Sequence, residues 1–120
     1  MSTSKILIVD DEALTCKLIA TMLKLQGYVS ASLTDPDKIW DVITQEEPAL
    51  IIMDYHLGPS HGLEVLQALK SDHRTEMLPV IITSGMDYRK ESLQAGADEF
   101  LVKPFDWQEL AKVIDQILNP

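Results

Sequence analysis

Three carboxylates, a hydroxyl and an amine each follow a short apolar run in this chain, and these are the groups that metal and phosphate chemistry requires. Asp10 and Asp11 come directly after one run, and Asp54 follows another. Ser84 and Lys103 come after two further runs. Two carboxylates ~4 Å apart repel each other by ~4 kcal/mol at an effective dielectric constant near 20. Such a cluster therefore needs a cationic partner, a proton or a metal ion.

The residue types favour a divalent cation together with a phosphoryl group. Hard carboxylate oxygens suit Mg²⁺, or Mn²⁺ in its place. A carboxylate can also act as a nucleophile and form an aspartyl phosphate, and Asp54 is the best candidate because it is the lone acid after its run. Ser84 and the Lys103 ammonium would bind phosphate oxygens. Gly85, which lacks a side chain, would let the backbone approach the phosphate closely.

The apolar runs before these residues predict strands buried on both faces of a parallel sheet. The runs are 6–9, 50–53, 80–83 and 100–102. In such sheets, ligands bind beyond the carboxyl ends of the strands, near the point where the strand order reverses. A more polar strand is predicted at the sheet edge over 28–33. Five strands that alternate with five helices indicate a three-layer α/β sandwich with right-handed crossovers.

Two of the predicted helices differ in their apolar content. The fourth, predicted over 87–95, has little apolar surface beyond Leu93, and we expect weak docking and mobility there. The first has apolar residues at helical spacing and a suitable terminator in Gly27. The residues that predict its apolar side are Leu14, Leu18, Met22 and Leu25. The single Cys16 is expected to pack against the sheet.

The other three helices carry recognisable start signals. The second is predicted after Asp35 and Pro36, and the third over 62–71. Asp106 and Glu109 have the spacing of a capping box for the last helix. The residues expected to face the core from these helices are Ile39, Val42, Ile43, Leu63, Leu66, Leu69, Leu110, Val113, Ile114 and Ile117.

Chain length, net charge and cysteine count limit the classes of protein to which this chain can belong. A chain of 120 residues fits one domain, predicted over 1–120. Its formal net charge of −9 argues against direct nucleic-acid binding and predicts repulsion from anionic membranes. One cysteine excludes an internal disulfide and fits a reducing cytoplasm. Neither a signal peptide nor a membrane span is predicted, because the longest apolar stretches have only four or five residues.

Four segments together give the chain a family resemblance. They are ILIVDDE at 6–12, IIMDYHL at 51–57, PVIITSG at 79–85 and AGADEFLVKPF at 95–105. With these segments in order, the chain resembles the receiver domain of two-component response regulators over essentially its whole length. The resemblance implies a flavodoxin-like (βα)5 sandwich with a central five-stranded parallel sheet in strand order 2-1-3-4-5.

The resemblance also implies roles for the acidic residues. Asp54 would accept a phosphoryl group from a histidine kinase, a phosphotransfer protein or a small phosphodonor. Asp11 would bind Mg²⁺ directly and Asp10 through water. Asp54 and the backbone carbonyl of His56 would complete the protein's share of the metal shell. Ser84 takes the place of the family's hydroxyl residue.

Further roles follow from the same resemblance. Lys103 takes the place of the family's lysine, and the Lys103–Pro104 bond would be cis. Phe100 takes the place of the switch aromatic, which turns inward when the hydroxyl engages phosphate. His56 and Met86 would tune the lifetime of the phosphate. Apart from its own Mg²⁺-dependent phosphorylation and dephosphorylation, the domain is expected to catalyse no reaction.

Two departures from the family pattern concern loops. Receivers commonly have proline four residues after the acceptor, whereas this chain has Gly58 there and Pro59 next. The stretch 84–103 is about three residues shorter than in typical members, close to the ~3.6 residues of one helical turn. The shortening falls in or before the fourth helix, part of the face that many receivers use to dimerise or signal.

Three other functions have weaker support in the sequence than a phosphate-accepting receiver. The runner-up is a pseudo-receiver that binds proteins without ever taking up phosphate. A phosphatase of the haloacid-dehalogenase type would need a second Asp where His56 stands, and a flavin-binding protein would need a Ser-, Thr- and Gly-rich loop where residues 10–12 are acidic. His56 and His61 suggest zinc only weakly, because a third soft ligand is lacking nearby.

The expected partners follow from the resemblance to receiver domains. They are a sensor histidine kinase or phosphotransfer protein, an effector protein or C-terminal output domain, and a second copy in a homodimer. The sequence fits either a complete single-domain regulator or the amino-terminal part of a longer one.

Overall fold

The computed structural model describes residues 4–120, so residues 1–3 of the predicted domain lie outside the described part. Its main sheet has five parallel strands. They are β1 Lys5–Val9, β2 Val29–Leu33, β3 Leu50–Asp54, β4 Val80–Ser84 and β5 Glu99–Val102. Their order is β2-β1-β3-β4-β5, as the family resemblance implied. The chain runs outward from β1 to β2 and then crosses back to β3, so the strand order reverses between β1 and β3.

Five α-helices cover the two faces of this sheet, which confirms the three-layer sandwich. They are α1 Ala13–Leu25, α2 Ile39–Glu46, α3 Gly62–Lys70, α4 Arg89–Gln94 and α5 Trp107–Leu118. Residues of α1 and α5 form one core with one face of the strands, and residues of α2 and α3 form a second core with the other face. None of these helices is long and apolar enough to cross a membrane, as far as residues 4–120 are concerned.

The continuous apolar runs are explained by this double coverage. Successive side chains of a strand point to opposite faces. Ile6 and Ile8 therefore lie in the core with α1 and α5, whereas Leu7 and Val9 lie in the core with α2 and α3. All four are fully buried. A strand with water on one face would have alternated apolar and polar residues instead.

The predicted apolar side of α1 was wrong for three of its four residues, whereas the fourth, Met22, is partly buried and packs against the core as predicted. The residues of α1 that are buried are Cys16, Ile19 and Leu23. Leu14, Leu18 and Leu25 are 70%, 56% and 72% exposed. Because apolar residues occur on both sides of this helix, their spacing gave the helical period without deciding which side faces the sheet. The expected packing of Cys16 is confirmed.

The helix starts are confirmed, and all ten predicted core-facing residues are buried or packed against one of the two cores. The Asp35 side chain accepts a hydrogen bond from the Asp37 N–H at the start of the 3-10 turn Pro36–Lys38, which leads into α2. The Asp106 side chain accepts from the Glu109 N–H at the start of α5. The residues of α2, α3 and α5 that are fully or almost fully buried are Ile39, Leu66, Leu69, Leu110 and Ile114.

Two shorter segments need separate description. In α4, which has six residues, the buried residue is Ser92, and Leu93 is 39% exposed. The weak docking and mobility expected for this helix stay predictions. The second segment follows Asp54, where His56–Leu57 and Ser60–His61 pair in a small antiparallel hairpin. Gly58 and Pro59 form its turn, and Gly58 has φ +67°, which glycine adopts without strain.

Candidate functional site

Three acidic side chains meet at the switch point between β1 and β3. Asp10 follows β1 directly and Asp54 is the last residue of β3, and both are buried, whereas Asp11 is exposed. One carboxylate oxygen from each of the three lies within 4.8 Å of the others. Hard oxygens this close, open to solvent on the Asp11 side, fit the preferences of Mg²⁺ or Mn²⁺. The cluster predicted from the sequence is confirmed.

Local backbone geometry fixes the carboxylate of Asp10. Its N–H donates to the Leu33 carbonyl of β2 at 3.1 Å, which holds the chain as it leaves β1. Its Oδ1 accepts from the Glu12 N–H at 3.0 Å in a tight turn. Its Oδ2 accepts from the Lys103 ammonium at 2.8 Å. The side chain is therefore oriented by the turn on one oxygen and by a cation on the other.

Lys103 links the acidic residues to the far side of the sheet. It follows β5, and its Nζ lies 2.8 Å from Asp10 Oδ2 and 3.3 Å from Asp54 Oδ1. Its backbone N–H donates to the Ser84 carbonyl at 2.7 Å, which ties the ends of β4 and β5 together. The Lys103–Pro104 bond is cis, as predicted. The lysine thus contacts two of the three carboxylates directly.

Burial and charge act on these groups in opposite directions. Burial raises the pKa of Asp54, Lys103 lowers it in part, and the nearby charge of Asp10 raises it further, so the pKa ends above its usual value. Burial lowers the pKa of Lys103, but its hydrogen bonds to Asp10 and Asp54 and their charges outweigh this and raise the pKa overall. Lys103 is therefore a protonated cation, and the neighbouring Asp54 carboxyl loses its proton less readily than an exposed aspartate does.

Ser84 and Gly85 lie at the neighbouring strand end. Ser84 is the last residue of β4, is buried, and accepts a hydrogen bond on its Oγ from the Met86 N–H at 3.2 Å. β4 pairs with β3 so that Thr83 is opposite Asp54, which brings Ser84 to the same edge. Gly85 has open space where a side chain would be, so the structure does not itself require glycine there.

Gly62, which carries no functional signal in the sequence, packs against the backbone of β3 at Asp54. Its N–H donates to the Tyr55 carbonyl at 2.7 Å, and the Tyr55 N–H donates to the Thr83 carbonyl at 2.8 Å. A methyl group on Gly62 would collide with the backbone carbonyl oxygen of Asp54. Only glycine lets the start of α3 pack this closely on β3.

His56 and His61 lie opposite each other in the hairpin, and both are exposed. Within residues 4–120, the group of three or more potential metal ligands that comes together consists of aspartates only, so neither histidine joins a zinc-type cluster. The part predicted for the His56 carbonyl in the metal shell stays a prediction, as does the part of His56 and Met86 in phosphate lifetime. Met86 is 63% exposed.

Phe100, the predicted switch aromatic, is 3% exposed and belongs to the core that the strands form with α2 and α3. The guanidinium of Arg89 donates to the Phe100 carbonyl at 3.3 Å and pairs with the carboxylate of Glu99 at 2.7 Å. These contacts fasten the start of α4 to β5. The ring of Phe100 thus points inward in this structure, and its role as a switch stays a prediction.

An aromatic cluster beside the acceptor was missed by the sequence analysis. The rings of Tyr55 and Tyr88 stack with centroids 4.0 Å apart and an angle of 10° between their planes. The ring of His56 lies edge-on to Tyr55 at 4.9 Å and to Tyr88 at 5.9 Å. Tyr55 was a visible signal because it follows Asp54, but nothing in the sequence marks Tyr88 as its neighbour.

Known proteins share this sequence pattern and this fold. The response regulator receiver domain family matches residues 6–115. The phosphate regulon transcriptional regulatory protein PhoB of Pseudomonas aeruginosa is 34% identical over 117 residues, covering 95% of this chain and 51% of PhoB. The chain spans about half the length of the curated relatives it matches, such as PhoB and the transcriptional regulator RpaA of Synechocystis.

Solved structures of other proteins have the same fold as this chain. A putative response regulator from Chloroflexus aurantiacus superposes with a TM-score of 0.92 at 25% identity, over 99% of this chain and 100% of that one. The receiver domain of a sensor histidine kinase from Pseudomonas aeruginosa, at 23% identity and a TM-score of 0.87 over 99% of this chain and 100% of that one, shares the fold. Sequence pattern, sheet order and acidic cluster together show that this chain belongs to the receiver domain family of two-component response regulators.

Proposed function

We propose that Asp54 accepts a phosphoryl group from a histidine kinase or a phosphotransfer protein, and that the aspartyl phosphate shifts the domain between two conformers. The observation that carries the proposal is the position of Lys103, whose ammonium contacts both Asp10 and Asp54 at the end of the sheet. A receiver that never takes up phosphate would have no need for a buried aspartate beside a second acid and a lysine.

Each residue of the site has a separate role in the proposed phosphoryl transfer. A carboxylate oxygen of Asp54 forms a bond to phosphorus as the phosphorus–nitrogen bond of a phosphohistidine breaks, and the electron pair leaves with the imidazole nitrogen, which takes up a proton. Lys103 turns from the carboxylates to a phosphoryl oxygen and stabilises its charge. The Ser84 hydroxyl donates to a second phosphoryl oxygen, and the Gly85 backbone lies close to it.

Mg²⁺, or Mn²⁺ in its place, fits the acidic cluster. Asp10, Asp11 and Asp54 would hold it, with the carbonyl of His56. When bound, the ion neutralises charge on the carboxylates and on the phosphoryl oxygens. The receiver domain of the Pseudomonas sensor kinase has a magnesium ion coordinated in its active-site cleft. That precedent and the three converging carboxylates support the same ion here.

Loss of the phosphoryl group belongs to the same site. We propose that His56 and Met86 lie on either side of the phosphorylated Asp54 and set the rate at which water hydrolyses the aspartyl phosphate. The domain catalyses only its own metal-dependent phosphorylation and dephosphorylation. The open, solvent-exposed position of both residues supports a role in water access.

The partners are proposed from the family and the surface. A sensor histidine kinase or phosphotransfer protein supplies the phosphoryl group, and an effector protein, a second copy or a C-terminal output domain responds to it. PhoB and RpaA are named as transcriptional regulators, and this chain corresponds to about half of each. With a net charge of −9, this domain itself is not proposed to bind nucleic acid or membranes. The cytoplasm is its proposed location.

Intact mass spectrometry tests the chemistry. The protein is incubated with acetyl phosphate, with Mg²⁺ or with EDTA, as wild type, as Asp54→Asn and as Asp37→Asn. Asp37 is an exposed carboxylate, so its variant matches the charge change without touching the site. We expect one phosphoryl adduct in the wild type and in Asp37→Asn, and no adduct in Asp54→Asn or with EDTA.

Two results would contradict the proposal. An adduct of equal yield in Asp54→Asn would place the acceptor elsewhere. A wild type that takes up neither phosphoryl from acetyl phosphate nor beryllofluoride with Mg²⁺ would favour the pseudo-receiver, a binding module that works without phosphate.

A further inference from the structure

The Tyr55–Tyr88 stack joins the two segments that flank the phosphoryl site. Tyr55 follows the acceptor Asp54 directly, and Tyr88 ends the β4–α4 loop, which comprises residues 85–88. Ring planes only 10° from parallel at a centroid distance of 4.0 Å are a close stack. The contact therefore fixes the distance between the acceptor segment and the end of this loop.

The same loop holds the Ser84 hydroxyl in one arrangement. Ser84 Oγ accepts from the Met86 N–H at 3.2 Å, and the Tyr88 hydroxyl lies 3.7 Å from the Met86 sulfur. The Tyr88 carbonyl accepts the first hydrogen bond of α4, from the Ser92 N–H at 2.9 Å. One short loop thus connects the hydroxyl, the stacked ring and the start of the helix. A movement of any of them is passed to the others.

In the proposed function the Ser84 hydroxyl donates to a phosphoryl oxygen. If the Ser84 side chain moves to reach that oxygen, it leaves the position in which it accepts from the Met86 N–H. Phe100 is already 3% exposed, so further burial of that ring cannot accompany the change. The stack joins two half-buried residues, Tyr55 and Tyr88, so their rings have space in which to change position.

We propose that Tyr88 is a positioning residue that, by stacking on Tyr55, holds the β4–α4 loop with the Ser84 hydroxyl bonded to the Met86 N–H, and so opposes phosphorylation of Asp54. This inference rests on the proposed function. A contact that exists in one conformer stabilises that conformer and lowers the population of the other. An aromatic stack of this kind shifts such an equilibrium about two- to tenfold.

The test measures the binding of beryllofluoride with Mg²⁺ by calorimetry, and the rate of labelling by acetyl phosphate by intact mass. The variants are Tyr88→Ala, Tyr88→Phe, Tyr55→Ala and the double variant. We expect Tyr88→Ala to bind about two- to tenfold more tightly and to be labelled faster, because the loop is released. Tyr88→Phe keeps the stack and should behave as wild type. In the Tyr55→Ala background, Tyr88→Ala should add nothing.

The direction of the change separates positioning from damage to the fold. Loss of packing alone would weaken binding, whereas the proposal requires stronger binding in a variant whose circular dichroism is unchanged. Equal or weaker binding by Tyr88→Ala, or the same gain in Tyr88→Phe, would overturn the inference while the wild type still bound beryllofluoride. A wild type that did not bind would be a different result, which overturns the proposed function and this inference with it.

Discussion

Asp54 occupies the last position of β3, where two unfavourable effects act on its charge. Burial and the neighbouring Asp10 raise its pKa, and the Lys103 ammonium compensates only in part. The raised pKa means that the folded state holds the acidic proton more tightly than the unfolded chain does. From this group alone, stability is therefore greatest below the unfolded pKa and is lost as the pH rises through the folded pKa. An acceptor held in this way is kept at the expense of stability.

Asp54→Asn should raise the free energy of unfolding at pH 7 by about 1 kcal/mol and the Tm by about 4 °C. The variant removes the buried charge, while Lys103 keeps its shorter contact with Asp10 at 2.8 Å. Near pH 3 the wild-type carboxyl is mostly protonated as well, so the difference should shrink towards zero at about that pH. Thermal unfolding in EDTA across this pH range measures both effects.

Asp37→Asn is the matched control for this prediction, because it removes the same charge from an exposed position. Its stability should stay within about 0.5 kcal/mol of wild type at both pH values. A Tm for Asp54→Asn that fell below that of wild type at pH 7 would show that the Asp54–Lys103 contact outweighs burial and repulsion.

At the scale of elements, the packing of α3 on β3 positions the acceptor. Gly62 opens α3 where its missing side chain leaves room for the Asp54 carbonyl oxygen. The hydrogen bond from Gly62 to the Tyr55 carbonyl closes the hairpin that lies between the two elements. These contacts hold the backbone of β3 in place at Asp54, the residue that carries the carboxylate.

Gly62→Ala should destabilise the protein by about 2 kcal/mol, because the added methyl group forces α3 away from β3. Alanine is otherwise the better helix former by about 1 kcal/mol, so a net loss would identify the clash as the dominant effect. Urea unfolding measures the change. We also expect slower labelling by acetyl phosphate, since β3 carries the acceptor.

Gly85→Ala provides the control, because a methyl group at Gly85 meets nothing within 4 Å. Its free energy of unfolding should stay within about 0.5 kcal/mol of wild type. Equal losses in the two variants would show that the close approach of Gly62 to the Asp54 carbonyl oxygen is not the cause of the loss.

At the scale of the whole molecule, the two cores share the same strands. Ile51 and Met53 of β3 face one core, and Leu50 and Ile52 face the other. Opening either helical layer would expose one face of the central strands to water, which costs about 25 cal/mol per Å² of apolar surface. Neither layer is therefore expected to unfold without the other.

The chain should thus unfold in a single two-state transition, as one domain. Differential scanning calorimetry should give equal calorimetric and van't Hoff enthalpies, with a heat-capacity change of about 1.4–1.8 kcal/mol/K for 120 residues. A separate low-temperature transition would mean that one helical layer, or the short α4 region, melts independently.

The sheet and the chemical groups at its edge follow from local sequence. Continuous apolar runs are imposed on strands that are covered on both faces, so β1, β3 and β4 were predictable from local composition. Because the carboxyl ends of parallel strands meet at one edge, the sequence predicts that Asp10, Asp54 and Lys103 lie together. The caps at Asp35 and Asp106 were equally predictable, since a cap acts within a few residues of itself.

Features that depend on segments far apart in the chain are set by the packing of the folded molecule. The side of α1 that faces the sheet was one, because both sides are apolar and only packing against the strands selects Ile19 over Leu18. The stack of Tyr55 on Tyr88 was another, since these rings are 33 positions apart and nothing local relates them. The need for glycine at 62 depends on how closely α3 approaches β3. Local sequence determines which residues are available, and close packing determines which of them meet.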